Sequence, residues 1–248
     1  SLEPGESFEA LVLSPNGHVE HVLAGVDDGT RMLAWTEPGR AAALVDFLTS
    51  MRFMMRVEVR PRDDLRLAWV GNDVEVPGDW ARRPALGGRE VFRPADAPLP
   101  EGRPAGTWAF DAHRIASGVP RIFVDTDART IPNEIGLFGT HLDKGCYRGQ
   151  ETVARVHNLG RPPRRLTLLH LDGTAEALPA AGSALEMGGR AVGFAGSSAR
   201  HHELGPIALA LVKRAVPTDA TLTVDGIAAA QETLVDPEVG LHFRANLR

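Results

Sequence analysis

Apolar and polar positions alternate in short runs over the first third of the chain. "FEALVL" (8–13) and "HVEHVLAGV" (18–26) read as strands joined by the turn "SPNG" (14–17), and "DDG" (27–29) turns the chain again into "TRMLAW" (30–35). Thr36 is then placed to cap a helix over "EPGRAAALVDFLTSMRF", where Leu44, Val45, Phe47, Leu48 and Met51 fall on one face. Short strands are expected at "RVEVR" (56–60) and "LRLAWV" (65–70). Pro and Gly crowd residues 71–106 and no period is sustained, so that stretch reads as a linker, or as a place where a longer natural segment is absent. "TWAFDAHRIASG" (107–118) is a helix that Gly118 ends, and "ETVARVH" (151–157) is another that stops before "NLGRPP". From about residue 164 to 235 the period falls to two. "RRLTLLHL", "SALEM", "RAVGFAGSS", "IALALVKR", "TLTV" and "IAAAQETLV" alternate with tight turns such as Gly188-Gly189 and Asp225-Gly226. That spacing predicts a small β-barrel behind an α+β region.

Composition narrows the function classes. The chain has 248 residues, 43% hydrophobic and 24% charged, enough to bury a sizeable core. A net charge of −5 and a pI near 6.0 argue against a general polyanion binder. No apolar run reaches the ~18 residues a membrane-crossing helix needs, and the first residues lack the pattern of a signal peptide. A single cysteine excludes an internal disulfide and a self-contained cysteine-rich metal site, and fits a cytoplasmic location most easily.

That cysteine stands in the densest run of chemistry in the chain, "HLDKGCYRGQETVARVH" (141–157). A thiol becomes a nucleophile or metal ligand as the thiolate, which nearby Lys or Arg and a helix N-terminus favour. Lys144 and Arg148 flank Cys146, Gly145 and Gly149 allow a tight turn, and a helix starts just beyond. The alternative is a glycine turn whose small cysteine only packs. Other candidates are weaker. "HHE" (201–203) has adjacent strand residues that should point to opposite faces, so no metal site is expected. "RPPRR" (161–165) reads as a solvated loop that joins Lys144, Arg148 and Arg155 in one basic neighbourhood. Trp108, spaced with Ala112 and Ile115, reads first as core. No phosphate-binding glycine loop is present.

The run "KGCYRGQE" (144–151) resembles the signature of the YgfZ family of folate-binding, iron–sulfur-related proteins, relatives of the glycine-cleavage aminomethyltransferase. Further likeness lies in "HRIASGVPRIFVDTDARTIPNEIGL" (113–137), "ETVARVHNLGRPPRRL" (151–166), "GRAVGFAGSS", "GPIALALVKR", "LSPNGHVEHVLAGVDDG" and "FLTSMRFMMRVEV". The resemblance implies an α+β, aminomethyltransferase folate-binding-like fold of three subdomains around a central opening. It divides the chain into a folate-binding region over 1–160 and a C-terminal barrel over 161–248. Family members begin with a further segment of roughly 60–70 residues.

By the same resemblance, tetrahydrofolate is the expected cofactor. Arg114 and Trp108 are its expected contacts, an arginine for a carboxylate and an indole for the pterin, with Tyr147, Gln150, Glu151 and Arg155 grouped beside them. Cys146 and Lys144 would carry the chemistry. The implied function is a folate-binding factor that supports iron–sulfur cluster assembly or repair and, through it, tRNA modification. Its partners would be folate and iron–sulfur client or assembly proteins, met transiently. The alternative is a tetrahydrofolate-dependent aminomethyl or one-carbon transferase. Direct binding of nucleic acid is disfavoured by the acidic whole and by the absence of aromatics interleaved with the basic residues.

Overall fold

A computed structural model of the chain describes residues 3–238, except 73, 75, 77–79, 83–85, 138 and 143. It is α+β, and among the described residues the strands form two three-stranded sheets and one closed barrel. By compactness the chain divides into Ser1–Leu11 with His21–Pro104, and Val12–Glu20 with Ala105–Arg248.

The first unit follows the alternation of its sequence. Strands β1 (Ser7–Leu13), β2 (Val19–Asp27) and β3 (Met32–Trp35) lie in that order in one sheet. Helix α1 (Ala41–Met51) follows. Thr36 does not cap it: Gly39 takes φ +77°, which interrupts the helical path, and Arg40 precedes the first turn with no side-chain cap. Residues 56–60 are not a strand, because no strand among the described residues pairs with them. Within 71–106 two strands do form, contrary to the linker reading. β5 (Trp80–Arg82) and β6 (Arg89–Pro94) join β4 (Leu65–Val70) in the order β4-β6-β5. Their short spans and flanking Pro and Gly conceal a buried core stretch, Glu90-Val91-Phe92. Glu90 is satisfied there by the Trp35 indole N–H at 2.7 Å.

In the second unit, α2 (Thr107–Ala116) ends in Gly118 at φ +69°, as the sequence predicts. A short 3-10 turn (Pro132–Ile135) and α3 (Gln150–Leu159) come next. Then come β7 (Arg164–Leu171), β8 (Ala184–Met187), β9 (Arg190–His201), β10 (Gly205–Lys213), β11 (Leu222–Val224) and β12 (Ile227–Thr233). These six strands close in the order β10-β7-β12-β11-β8-β9. One side chain in two from each strand, including Leu169, Leu171, Leu185, Ala208, Ala210 and Leu222, fills a single apolar cluster. The barrel strands begin at Arg164; α2 and the 3-10 turn pack on them, α3 packs on the 3-10 turn, and all lie in one compact unit. The compact division falls at Pro104–Ala105.

Two charge clusters fasten this unit. Arg164, at the start of β7, reaches Asp127 at 2.7 Å and Glu134 at 2.7 Å. Glu134 is buried, and its other oxygen also takes the N–H of Ile131. Arg165 is fully buried and donates to the carbonyls of Lys213 and Arg214 and to Gln231. The expectation of a solvated "RPPRR" loop fails for these two residues, because both guanidinium groups are used inside the fold.

Candidate functional site

The segment before α3 turns on Gly149, which takes φ +80° as the residue just outside the helix. The helix start is sealed locally. The Tyr147 N–H donates to Gln150 Oε1 at 3.0 Å, and the Gln150 N–H donates to the Tyr147 carbonyl at 3.2 Å. Gln150 therefore spends its side-chain oxygen on the turn itself. The Lys144 ammonium lies 5.1 Å from the centre of the Tyr147 ring, within cation–π range. Partial burial raises the pKa of the Tyr147 phenol. Cys146 and Lys144 are exposed, and Cys146 is a free thiol. Glu151 is an exposed acid in the first turn of α3, where it complements the positive helix end.

What holds this loop comes from far away in sequence. The tip of the β1–β2 hairpin, Ser14 to His18, is closed by Ser14 N–H to the His18 carbonyl and by Gly17 N–H to the Ser14 carbonyl. Gly17 and Gly149 meet backbone to backbone: a Cβ on Gly149 would lie 2.5 Å from the Ser14 carbonyl oxygen and 2.7 Å from the Gly17 Cα. A Cβ on Gly17 would lie 2.8 Å from the Thr152 Cβ. Arg148 forms an ion pair with Glu20 at 3.3 Å. The hairpin is itself tied down by the Val19 N–H to the Thr130 carbonyl, at 2.8 Å. Sequence reasoning saw "SPNG" only as a turn. Its pairing with Gly149 carries no local signal.

The remaining expected residues disperse. Arg114 is 3% exposed, and its donors are committed to protein acceptors: Asp111, the Val119 carbonyl, Asp125 and Ser197 Oγ. Asp125 in turn takes the N–H groups of Arg121 and Ser197 and the Ser197 hydroxyl. Gly196 makes that approach possible, since a Cβ there would collide with the Asp125 carboxylate. These contacts join α2 with β9. Trp108 is the reverse case: it is not core, being 87% exposed in the first turn of α2. Arg155 is exposed on α3. His201 and His202 sit with ring centres 4.4 Å apart, so they do not point to opposite faces. Among the described residues no three His, Cys, Asp or Glu side chains group as metal ligands. A cavity of about 280 Å³ opens beside His157 in the last turn of α3, lined also by Asn133, Leu137, Pro162 and Val235. It holds none of the expected site residues, and the length of α3 separates it from the thiol loop.

No family model matches the chain. Among curated proteins it is 32% identical over 151 residues to the tRNA-modifying protein YgfZ of Edwardsiella ictaluri, covering 58% of this chain and 44% of that protein. It is 40% identical over 77 residues to YgfZ of Aliivibrio fischeri, 30% of this chain and 24% of that one. It is 38% identical over 72 residues to the human mitochondrial iron–sulfur cluster assembly factor IBA57, 27% of this chain and 20% of that one. The fold matches aminomethyltransferase T of the glycine cleavage system from Bartonella henselae with a TM-score of 0.68, covering 96% of this chain and 78% of that one at 15% identity.

Over these stretches the chain is similar to the YgfZ proteins, and its fold is that of the aminomethyltransferase. Its matched stretches span less than half the length of these curated relatives. The closed six-stranded barrel is the part of this fold that the sequence predicts most directly. Among the described residues, no helix is long and apolar enough to cross a membrane.

Proposed function

We propose that this protein is a tetrahydrofolate-binding factor that supports iron–sulfur cluster assembly or repair, with Cys146 as its working group. One observation carries the reading: the only cysteine is exposed, on a glycine-fastened turn, inside the "KGCYRGQE" run that resembles the YgfZ signature. Relatives named for tRNA modification and for iron–sulfur assembly support the direction.

A thiolate is a ligand for iron, but one cysteine cannot enclose a cluster. Cys146 would therefore share a cluster with a client and let it go, the cluster being cargo. Lys144 places a cation on the same turn, and Tyr147 restrains it through its ring. Gln150 keeps the turn closed. For folate, the residues present fit in part. The exposed Trp108 indole offers a face for a pterin, and the exposed Arg155 offers a cation for a glutamate carboxylate, whereas Arg114 is already spent. Bound tetrahydrofolate would supply a carrier for a one-carbon unit.

The test is rescue of iron–sulfur enzyme activity in cells lacking the native protein. Cys146→Ser should keep the fold and lose the rescue, because a hydroxyl is not a ready thiolate at neutral pH. Full rescue by that variant would defeat the thiol-centred reading. Steady turnover of an aminomethyl-folate reaction by the same variant would favour the transferase instead.

A further inference from the structure

We infer that residues 55–60 are a self-complementary strand, through which two copies of this chain pair antiparallel about a two-fold axis at Val57. The sequence there alternates as a strand does, with Met55, Val57 and Val59 on one side and Arg56, Glu58 and Arg60 on the other. The fold leaves this run unused. From Met55 to Arg62 the chain forms neither helix, turn nor bend, and among the described residues no backbone group of 56–60 bonds to another backbone group. Its surroundings are apolar and open to solvent. Phe53 is 88% exposed and Met54 83%, and Met51, Met55 and Val57 are exposed beside them. A contiguous patch of this kind marks an interaction surface, where single scattered apolar residues would not.

Charge selects both the partner and the register. A purely acidic partner would oppose Glu58, whereas a second copy satisfies both signs. With Val57 opposite itself, Arg56 faces the partner's Glu58, Glu58 faces the partner's Arg56, and Met55 meets Val59 in one apolar row. Centring the pair on Glu58 instead sets Glu58 on Glu58 and Arg56 on Arg60. Centring it on Val59 sets Arg56 on Arg62 and brings in Pro61, which has no N–H to donate. A slip of one residue turns the apolar row against the charged one. The Val57 carbonyl already accepts from the Arg52 guanidinium at 3.2 Å, so the ladder falls to Arg56 and Glu58. Their two pairs exchange four backbone bonds across the axis. Arg60 lies 3.8 Å from Glu58 with both side chains largely exposed, which makes it a weak competitor.

The experiment is sedimentation of the full chain from about 1 to 200 µM, the range in which a small interface dissociates. The native chain should pass from monomer to dimer. Glu58→Arg and Arg56→Glu should each weaken association by at least about tenfold, because each sets like charges opposite one another twice. The two changes together should restore it. Both positions are exposed, so melting should stay near the native value in every variant. Oxidation reads the register, with Cys146, which lies in the other compact unit, replaced by serine. Val57→Cys should then link two copies, since a non-hydrogen-bonded pair holds its Cα atoms about 4.5 Å apart, within disulfide reach. Glu58→Cys should link far more slowly. A native chain that stays monomeric over the whole range would overturn the inference and leave the strand to a different protein. So would a dimer that both single reversals leave unchanged, or one that links through Glu58→Cys in preference to Val57→Cys.

Discussion

Replacing Arg114 by alanine should damage the fold and spare the ligand. The guanidinium is nearly fully buried and makes four kinds of contact. The one to Asp111 lies at a partly exposed rim and adds little. The one to Asp125 is different, because that carboxylate is wholly buried. Breaking a buried pair costs about 3–5 kcal/mol through the charge left behind. Asp125 would keep three donors, from Arg121 and Ser197, so the loss should fall near the lower end, about 3 kcal/mol. Asp125→Ala should cost more, about 5 kcal/mol, because it leaves the guanidinium buried without a carboxylate. The double variant should cost less than the sum. With a urea slope of about 2 kcal/mol per molar, Arg114→Ala should lower the midpoint by about 1.5 M. Hydrogen exchange in β9 and β10 under urea reads this in the right unit. A loss below about 1 kcal/mol, the range of exposed pairs, would refute the reasoning. So would an intact barrel that has lost tetrahydrofolate binding, which would return Arg114 to the ligand.

Trp108→Ala should leave stability nearly unchanged, because the indole is exposed, yet weaken tetrahydrofolate by about 0.5–1.5 kcal/mol in calorimetry if it stacks on the pterin. Gly149→Ala should lower the melting temperature and slow Cys146 alkylation together, since its Cβ would strike the Ser14 carbonyl and its φ is left-handed. A stability near that of the native chain would show that the hairpin contact is loose. Acid should act through Asp127, whose pKa Arg164 lowers by hydrogen bonding to about 2. A depressed folded value means this carboxylate adds stability above the ordinary value near 3.8 and loses it as pH falls towards 2. Melting between pH 4 and pH 2 should therefore drop less steeply for Asp127→Asn than for the native chain; parallel curves would count against the assignment.

The parts of this fold legible in the sequence are those in which a residue's role depends on close neighbours. The short apolar run in "RRLTLLHL" gives β7 to the residue, because the strand is buried on both faces over Arg165–Leu169. Gly118 ends α2 where expected, since a left-handed residue after a helix is a local requirement. "KGCYRGQE" announces an exposed thiol turn, and the turn is there. Roles that depend on distant partners were hidden. Arg164 reads as part of a basic loop until Asp127 and Glu134 meet it, and nothing near Arg114 in the sequence announces its contact with Ser197, 83 positions on. Trp108 shares helical spacing with buried Ala112 and Ile115 but falls one turn too early to be covered.

The strand order of the barrel bears on how the protein is made. β7 is the first barrel strand to be synthesised, yet its neighbours are β10 and β12, and β12 is the last of all. The ring cannot close until Ile227–Thr233 has left the ribosome. At 5–20 residues per second, the sixty or so residues between β7 and the end of β12 take roughly 3 to 12 s. Throughout that interval one edge of β7 has no partner, and an unpaired strand edge is a template for pairing with another chain. A stop codon anywhere before β12 would leave that edge open for good, so the loss of one short C-terminal strand should turn a closed ring into an aggregation-prone sheet.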